Sequence, residues 1–446
     1  KNENRLPVEL IFCVDVSGSM GTAAIVKGEE DSGLSVLDLV KHAIKTLTKN
    51  MNEKDRVTLI TYNNCADIKC HNIKMNNIGM NIIEAEIDKM VPGGSTNIWD
   101  GLFKSMESID ESNSNPYIML FTDGQPTVSP PRGERYYLSK YIEEKSLKAP
   151  IYTYGFGNHL DTELLNDIAI TGNGRFGFIP DIGFVGTIFV HSQANILSNM
   201  GKNITIKIEC NGLRENNILG NHKTSIASWG GEIYAGSIQF GQEKAIIVNQ
   251  NIKPKNITIT YNDMRNNQVY ELNTTEMNDH KHREKHFDNY ARLMVIEKIH
   301  KCIDIKENMN NNANVEIVNI LEEILNNLKQ PKYNRKNIID LIKDIEKEIK
   351  KALSDEYYNS WGKKYLLSIL NSHLYQECNN FKDPGVQHYT TPLFEKIRDK
   401  ADDIFVSIPP PKPSRNISHY RGASSAGSRS RAPVNMNVYH NSSGPC

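Results

Sequence analysis

Apolar positions along the first two hundred residues follow two alternating periods. Nearly unbroken apolar runs at 8–16, 56–62, 117–121 and 151–155 read as strands buried on both faces. Between them, 35–49 sets Val36, Leu37, Leu39, Val40, Ala43, Ile44 and Leu47 at helical spacing. Shorter helices are predicted at 82–90, 99–109 and 161–170, the first of them stopped by Val91-Pro92-Gly93-Gly94. Strands alternating with helices in this way predict an α/β fold with a doubly wound, mostly parallel sheet.

The pattern changes near 201. Segments 203–209 and 256–261 alternate with period two, with further short runs at 231–238 and 244–248 between Gly- and Asn-rich turns. This predicts a small β-sandwich. From about 286 the helical period returns, in 290–302 (Leu293, Met294 and Ile296 against Glu297 and His300), 315–328, 338–353 and 357–375, with Pro331 between the second and third. Ile408 opens a proline-rich run. After it, Ser, Gly, Ala, Asn and the arginines Arg415, Arg421, Arg429 and Arg431 continue to Cys446 without an acidic residue, which reads as a disordered basic linker. The expected organisation is therefore 1–200, an α/β domain; 201–277, a β-sandwich; 278–407, a helical region; and 408–446, the linker.

Composition narrows the function classes. A net charge of −1 over 446 residues argues against nucleic acid as the partner, and the linker's Tyr420 and Tyr439 are too few to stack bases. No apolar stretch approaches the ~20 residues of a membrane span. Cys13, Cys65, Cys70, Cys210, Cys302, Cys378 and Cys446 form neither a C-x-x-C array nor a disulfide framework, so a reducing, cytoplasmic (intracellular) setting is expected. The sequence begins at Lys1, so a leader peptide would lie outside it. Sequons at Asn203, Asn256 and Asn273 are bare motifs in an Asn-rich chain.

The candidate chemistry lies at strand ends. Asp15, Ser17 and Ser19 follow the first strand as D-x-S-x-S, Thr96 precedes the helix at 99–109, and Asp123 follows the strand at 117–121 as T-D-G. In a parallel sheet these ends share the edge where ligands bind. Every donor is a hard oxygen, which suits Mg²⁺, Mn²⁺ or Ca²⁺ and disfavours Zn²⁺.

This ordered set resembles the metal-ion-dependent adhesion site of von Willebrand factor A (VWA) domains, over roughly residues 5–200. The resemblance implies a metal site of Asp15, Ser17, Ser19, Thr96 and Asp123. Ser17, Ser19 and Thr96 would bind the ion directly, and the two aspartates directly or through water. It also implies a protein partner whose exposed Asp or Glu completes the coordination. A second block, 358–366 with 378–387, 401–405 and the proline run, is similar to the VWA/Hint-associated (Vwaint-like) region that follows VWA domains and that a Hint (intein-like) domain often follows. It implies an alternative: the N-terminal recognition part of a larger autoprocessing or ubiquitin-ligase-like protein. Cys446 would suit a Hint nucleophile, although Pro445 departs from the small residue expected before it, and no RING or U-box zinc pattern occurs. A structural protein is the third class.

Other features carry less. His280, His282 and His286 place two imidazoles four apart without H-E-x-x-H or a third ligand, and read as a solvated helix start. Glu29, Glu30 and Asp31, in the insertion at 21–33, read as surface. Asp123 lacks the D-x-D partner of an aspartate phosphotransferase, Ser17 lacks a G-x-S-x-G elbow, and no P-loop is present, so no enzyme activity is expected.

Overall fold

The computed structural model describes residues 5–24, 31–110, 115–157, 159–249, 253–266, 268–273, 283–308, 313–333 and 335–415. A six-stranded sheet of order β3-β2-β1-β4-β5-β6 forms the first layer. Its strands are β1 (Glu9–Asp15), β2 (Arg56–Tyr62), β3 (Ala66–Lys74), β4 (Pro116–Thr122), β5 (Ile151–Phe156) and β6 (Phe176–Ile179). All neighbours pair in parallel except β2 and β3. The central β1 and β4 are buried at every residue, which is why their sequences are apolar runs rather than alternating ones.

The helices of this layer are α1 (Val36–Lys49), α2 (Asn77–Asp88), α3 (Ile98–Glu107), α4 (Gly133–Lys145), α5 (Thr162–Thr171) and α6 (Ile182–Ser198). Helix α1 starts at a capping box in which Ser35 and Asp38 satisfy each other's backbone N–H, and it buries Leu37, Leu39, Val40, Ala43, Ile44 and Leu47. Strand β3 and helix α4 escape the sequence pattern because both are largely exposed and polar. Helix α6 escapes it for the opposite reason: Val185, Ile188, Phe189, Val190, Ala194, Ile196 and Leu197 are all buried and leave no polar face to mark the period.

Strand β7 (Asn199–Glu209) continues directly from α6 and joins β8 (Thr224–Ala227), β9 (Gly230–Gln239), β10 (Asn256–Asp263) and β11 (Val269–Asn273). Among the described residues these form one antiparallel sheet of order β11-β10-β7-β9-β8, not the two facing sheets of the expected sandwich. Segment 244–248, expected as a strand, makes a single bridge, Ile218 to Val248. Its backbone is engaged by side chains of the helical region. Ala245 N donates to Gln376 Oε1 at 2.9 Å, and Arg292 Nη2 donates to Ala245 O at 2.9 Å.

The helical region comprises α7 (Arg283–Glu307), α8 (Ala313–Leu328), α9 (Lys336–Asp344), a π turn Ile345–Ile349 into α10 (Lys350–Ala352), a second π turn Tyr358–Gly362, α11 (Lys363–Tyr375) and α12 (Pro392–Ser407). Helix α12 lies against α6 and α1, with the Phe405 ring over Gly186 and 5.0 Å from the His42 ring. One hydrophobic cluster consequently runs from Val8, just before β1, to Ile397 in α12. Residues 408–415, expected to open the disordered linker, are instead pinned through Ser414 and Arg415 to Asp38 and Asp31. Residues 416–446, with the rest of that linker and Cys446, lie outside the described residues, as do Glu29, Glu30, His280 and His282. The six described cysteines are free thiols, and no helix among the described residues is long and apolar enough to cross a membrane.

Arg175 links the parallel sheet, the antiparallel sheet and the helices. It donates to Gly174 O at 2.6 Å and to Glu377 Oε1 at 3.1 Å, and its guanidinium stacks 3.3 Å from the Tyr375 ring centroid. It also fills the space that a side chain at Gly236 (φ +76°) would need. Replacing it, as Arg175→Met, would leave Glu377 buried without its ion-pair partner. That is expected to cost about 3 kcal/mol or more in urea unfolding.

Candidate metal centre

The five predicted residues come from three chain segments that strand register brings together. Asp15 is the last residue of β1, and Asp123 follows the last residue of β4. Because Val14 pairs with Phe121 in parallel, Asp15 and Thr122 emerge side by side, and Thr122 Oγ1 donates to Asp15 Oδ2 at 2.6 Å. After Asp15 the chain turns in a short 3₁₀ segment, Gly18–Gly21. The turn presents both serines: Ser17 N donates to Asp15 Oδ1 at 2.7 Å, and Ser19 Oγ donates to Asp123 Oδ1 at 2.7 Å. Since that hydrogen is committed, the 3.1 Å contact between the serine hydroxyls has Ser17 as donor.

Thr96 arrives on the loop between α2 and α3. Gly93 N donates to Val16 O at 2.8 Å and Gly18 N to Gly94 O at 3.0 Å, which fastens this loop to the D-x-S-x-S turn. Gly94 sits at φ +84°, and a Cβ there would come within 2.8 Å of Asn64 Oδ1, itself the acceptor for Ser95 N. Thr96 N donates to Thr127 Oγ1 at 2.8 Å, and Thr127 N returns a bond to Thr96 O at 2.9 Å. The T-D-G triplet marked Thr122 in the sequence without showing its role; Thr127 carried no local signal, because its contact depends on how two loops meet.

The electrostatics fit a cation. Asp15 is fully buried and Asp123 is 7% exposed, yet neither makes an ion pair with Lys, Arg or His among the described residues. Burial pushes the Asp15 carboxyl up to about 6 despite the bonds from Thr122 and Ser17, and burial likewise raises Asp123. Two buried carboxylates served only by hydroxyls and backbone N–H, with three hydroxyls beside them, make a hard-oxygen donor set. No group of three His, Cys, Asp or Glu able to hold a metal occurs among the described residues, so an ion here would rest on the hydroxyls as much as on the acids. Ser19, Thr96 and Asp123 are part of the lining of a groove of about 720 Å³. The rest of its lining mixes apolar residues such as Val36, Leu39, Phe156 and Leu160 with polar ones, His159 and Asp181 among them. Asp31, the described acid of the insertion at 21–33, is paired with Arg415.

Comparison with known proteins supports the fold and the domain. Residues 9–189 match the von Willebrand factor type A domain, and residues 335–403 match the VWA / Hh protein intein-like family. The Escherichia coli uncharacterized protein YfbK is 25% identical over 217 residues, 47% of this chain and 35% of that protein. The human inter-alpha-trypsin inhibitor heavy chain H3 is 25% identical over 183 residues, 38% of this chain and 18% of that protein. The chain therefore spans little more than a third of one relative and under a fifth of the other. A von Willebrand factor type A structure from Catenulispora acidiphila superposes with a TM-score of 0.53 at 12% identity, over 77% of this chain and 82% of that one, a likeness of fold.

The raised carboxyls set a sign for pH dependence. A carboxyl lifted above its unfolded value of 3.8 makes the folded state bind more protons, so its burial penalty is present above about pH 6 and is relieved as pH falls toward 4. In chelator, Asp123→Asn is expected to melt higher than wild type at pH 7.5, by about 1 kcal/mol, and to lose that advantage near pH 4. Added Mg²⁺ should raise the wild-type melting temperature more at pH 7.5 than at pH 5 and leave the variant unmoved. Equal Mg²⁺ responses in both proteins would refute the assignment.

Proposed function

We propose that this chain, which carries a VWA domain and a VWA / Hh protein intein-like region, is a divalent-cation-dependent protein-interaction module. The observation that carries the reading is the pair of buried carboxylates, Asp15 and Asp123, without a cationic partner among the described residues, with Asp123, Ser19 and Thr96 lining an open groove. Mg²⁺, or Mn²⁺ or Ca²⁺ in its place, would be held by Ser17, Ser19 and Thr96, with the aspartates binding directly or through water. With hydroxyls as its direct ligands such an ion stays electrophilic, and a partner's Asp or Glu takes its open position.

The surroundings favour a protein as partner. Val128, whose N–H donates to Thr96 O at 3.1 Å, is 41% exposed, and Val91, on the loop that carries Thr96, is 75% exposed, so apolar surface of the kind protein interfaces use lies on the loops that form the centre. We take the module as non-catalytic: the site supplies carboxylates and hydroxyls for coordination, and the sequence brings no nucleophile motif to it. The free buried thiols favour a reducing compartment. The match at 335–403 favours one further reading, in which this recognition part serves a longer autoprocessing protein.

A displayed random-peptide library, selected on the protein in Mg²⁺, tests the reading. Recovered peptides should carry an Asp or Glu whose amide replacement abolishes binding, should elute with chelator, and should not bind Thr96→Ala. Peptides that bind equally well in chelator, or after the amide replacement, would refute it.

A further inference from the structure

The proline-rich run at 408–413 is not needed by the metal site and is held in a manner that displays it. Ile408 leaves α12 at φ −72° and ψ 135°, the polyproline II region. Prolines at 409, 410, 411 and 413 fix φ near −65°, and each residue preceding a proline is confined to extended backbone, so the run continues as a left-handed helix of three residues per turn. That period places Ile408, Pro411 and Ser414 on one side. Ile408 and Pro411 are half-buried, and Ser414 donates to Asp38 Oδ2 from its N at 3.1 Å and from its Oγ at 2.7 Å. The two remaining edges, Pro409 with Lys412 and Pro410 with Pro413, face solvent.

The far end is fixed by Arg415. Its N donates to Gly33 O at 3.1 Å, and its guanidinium donates to both Asp31 oxygens at 2.9 and 3.0 Å. With Ser407 ending α12 at the other end, the run is a strap tied at both ends, and much of the ordering cost that a free linker would bear on binding is already met by folding.

We infer that this strap is a docking site for an SH3-type domain, a fold whose aromatic grooves read polyproline II. The exposed residues form two consecutive X-Pro pairs, Pro409-Pro410 and Lys412-Pro413, the units such grooves accept. With Arg415 they spell P-x-x-P-x-R, from Pro410 through Pro413, and an acidic pocket beyond the grooves would take the arginine. Asp31 now occupies that guanidinium. Both side chains are about a third exposed, so the pair is a weak one that a partner's carboxylates can exchange with. Asp31 thus acts as a resident competitor for the partner's acidic pocket. The inference is independent of the metal site.

The test titrates an isolated SH3 domain that reads P-x-x-P-x-R peptides into the full chain, with a free peptide of that motif as competitor. Saturable, competed binding is expected. Pro410→Ala/Pro413→Ala should weaken it at least roughly ten-fold and leave the melting temperature unchanged, since both prolines are exposed; Arg415→Ala should weaken it as well. Asp31→Ala should strengthen it several-fold by freeing Arg415. Absence of binding to both wild type and Asp31→Ala, or binding indifferent to the double proline replacement, would overturn the proposal.

Discussion

Two carboxylates buried at one sheet edge, without a positive partner among the described residues, are the constraint around which this domain is built. An unpaired buried charge is costly, and the nearby groups reduce that cost without cancelling it. Asp15 receives a backbone N–H and the Thr122 hydroxyl, and Asp123 receives the Ser19 hydroxyl. The two hydroxyl bonds depend on the parallel register of β1 and β4, whereas the Ser17 N–H bond is local; a slip of one residue would turn Asp15 to the opposite face of the sheet. The hydroxyl chain from Ser17 through Ser19 to Asp123 also holds the oxygens together before any ion arrives. Hydroxyl hydrogens can rotate away while their oxygens stay, so the same oxygens would be available to a bound cation.

The rest of the molecule braces this edge. Gly93 and Gly94 tie the Thr96 loop to the D-x-S-x-S turn through backbone bonds, and Thr127 holds Thr96 from the other side. Helix α12 comes from the far end of the chain to lie against α6 and α1, and the strap beyond it reaches Asp38 in the capping box of α1. Arg175 and Arg292 secure the end of α11, Arg175 by stacking on Tyr375 and pairing with Glu377, Arg292 by donating to the carbonyls of His373 and Leu374. The helical region is therefore a wall of the same core rather than a separate appendage.

Legibility in the sequence followed burial. Strands β1, β2, β4 and β5 and helix α1 could be read directly, because each has one or two faces with an unambiguous environment. Strand β3 lies at the edge with most residues in water, and α6 is enclosed on nearly all sides, so neither carries the period of its class. The alternation at 203–209 and 256–261 indicated strands but not how many sheets they form, because apolar residues of the sheet pack against loop residues such as Leu213, Ile218, Ile246 and Val248 rather than against a second sheet. The five candidate metal-site residues were legible as a set since they lie at or just beyond the ends of recognisable elements. The groove beside them was not: Phe156, Leu160 and Ile179 come from elements whose approach to Ser19 is visible only in three dimensions.

The central claim is that Asp15 and Asp123 are buried to hold a cation. Calorimetric titration of Mg²⁺, Mn²⁺ and Ca²⁺ into the wild type and into Asp15→Ala/Asp123→Ala at pH 7.5 addresses it most directly. Saturable binding of one ion per chain to the wild type, abolished in the double variant, is the predicted result. Absence of binding by all three ions, or binding unchanged in the double variant, would contradict it.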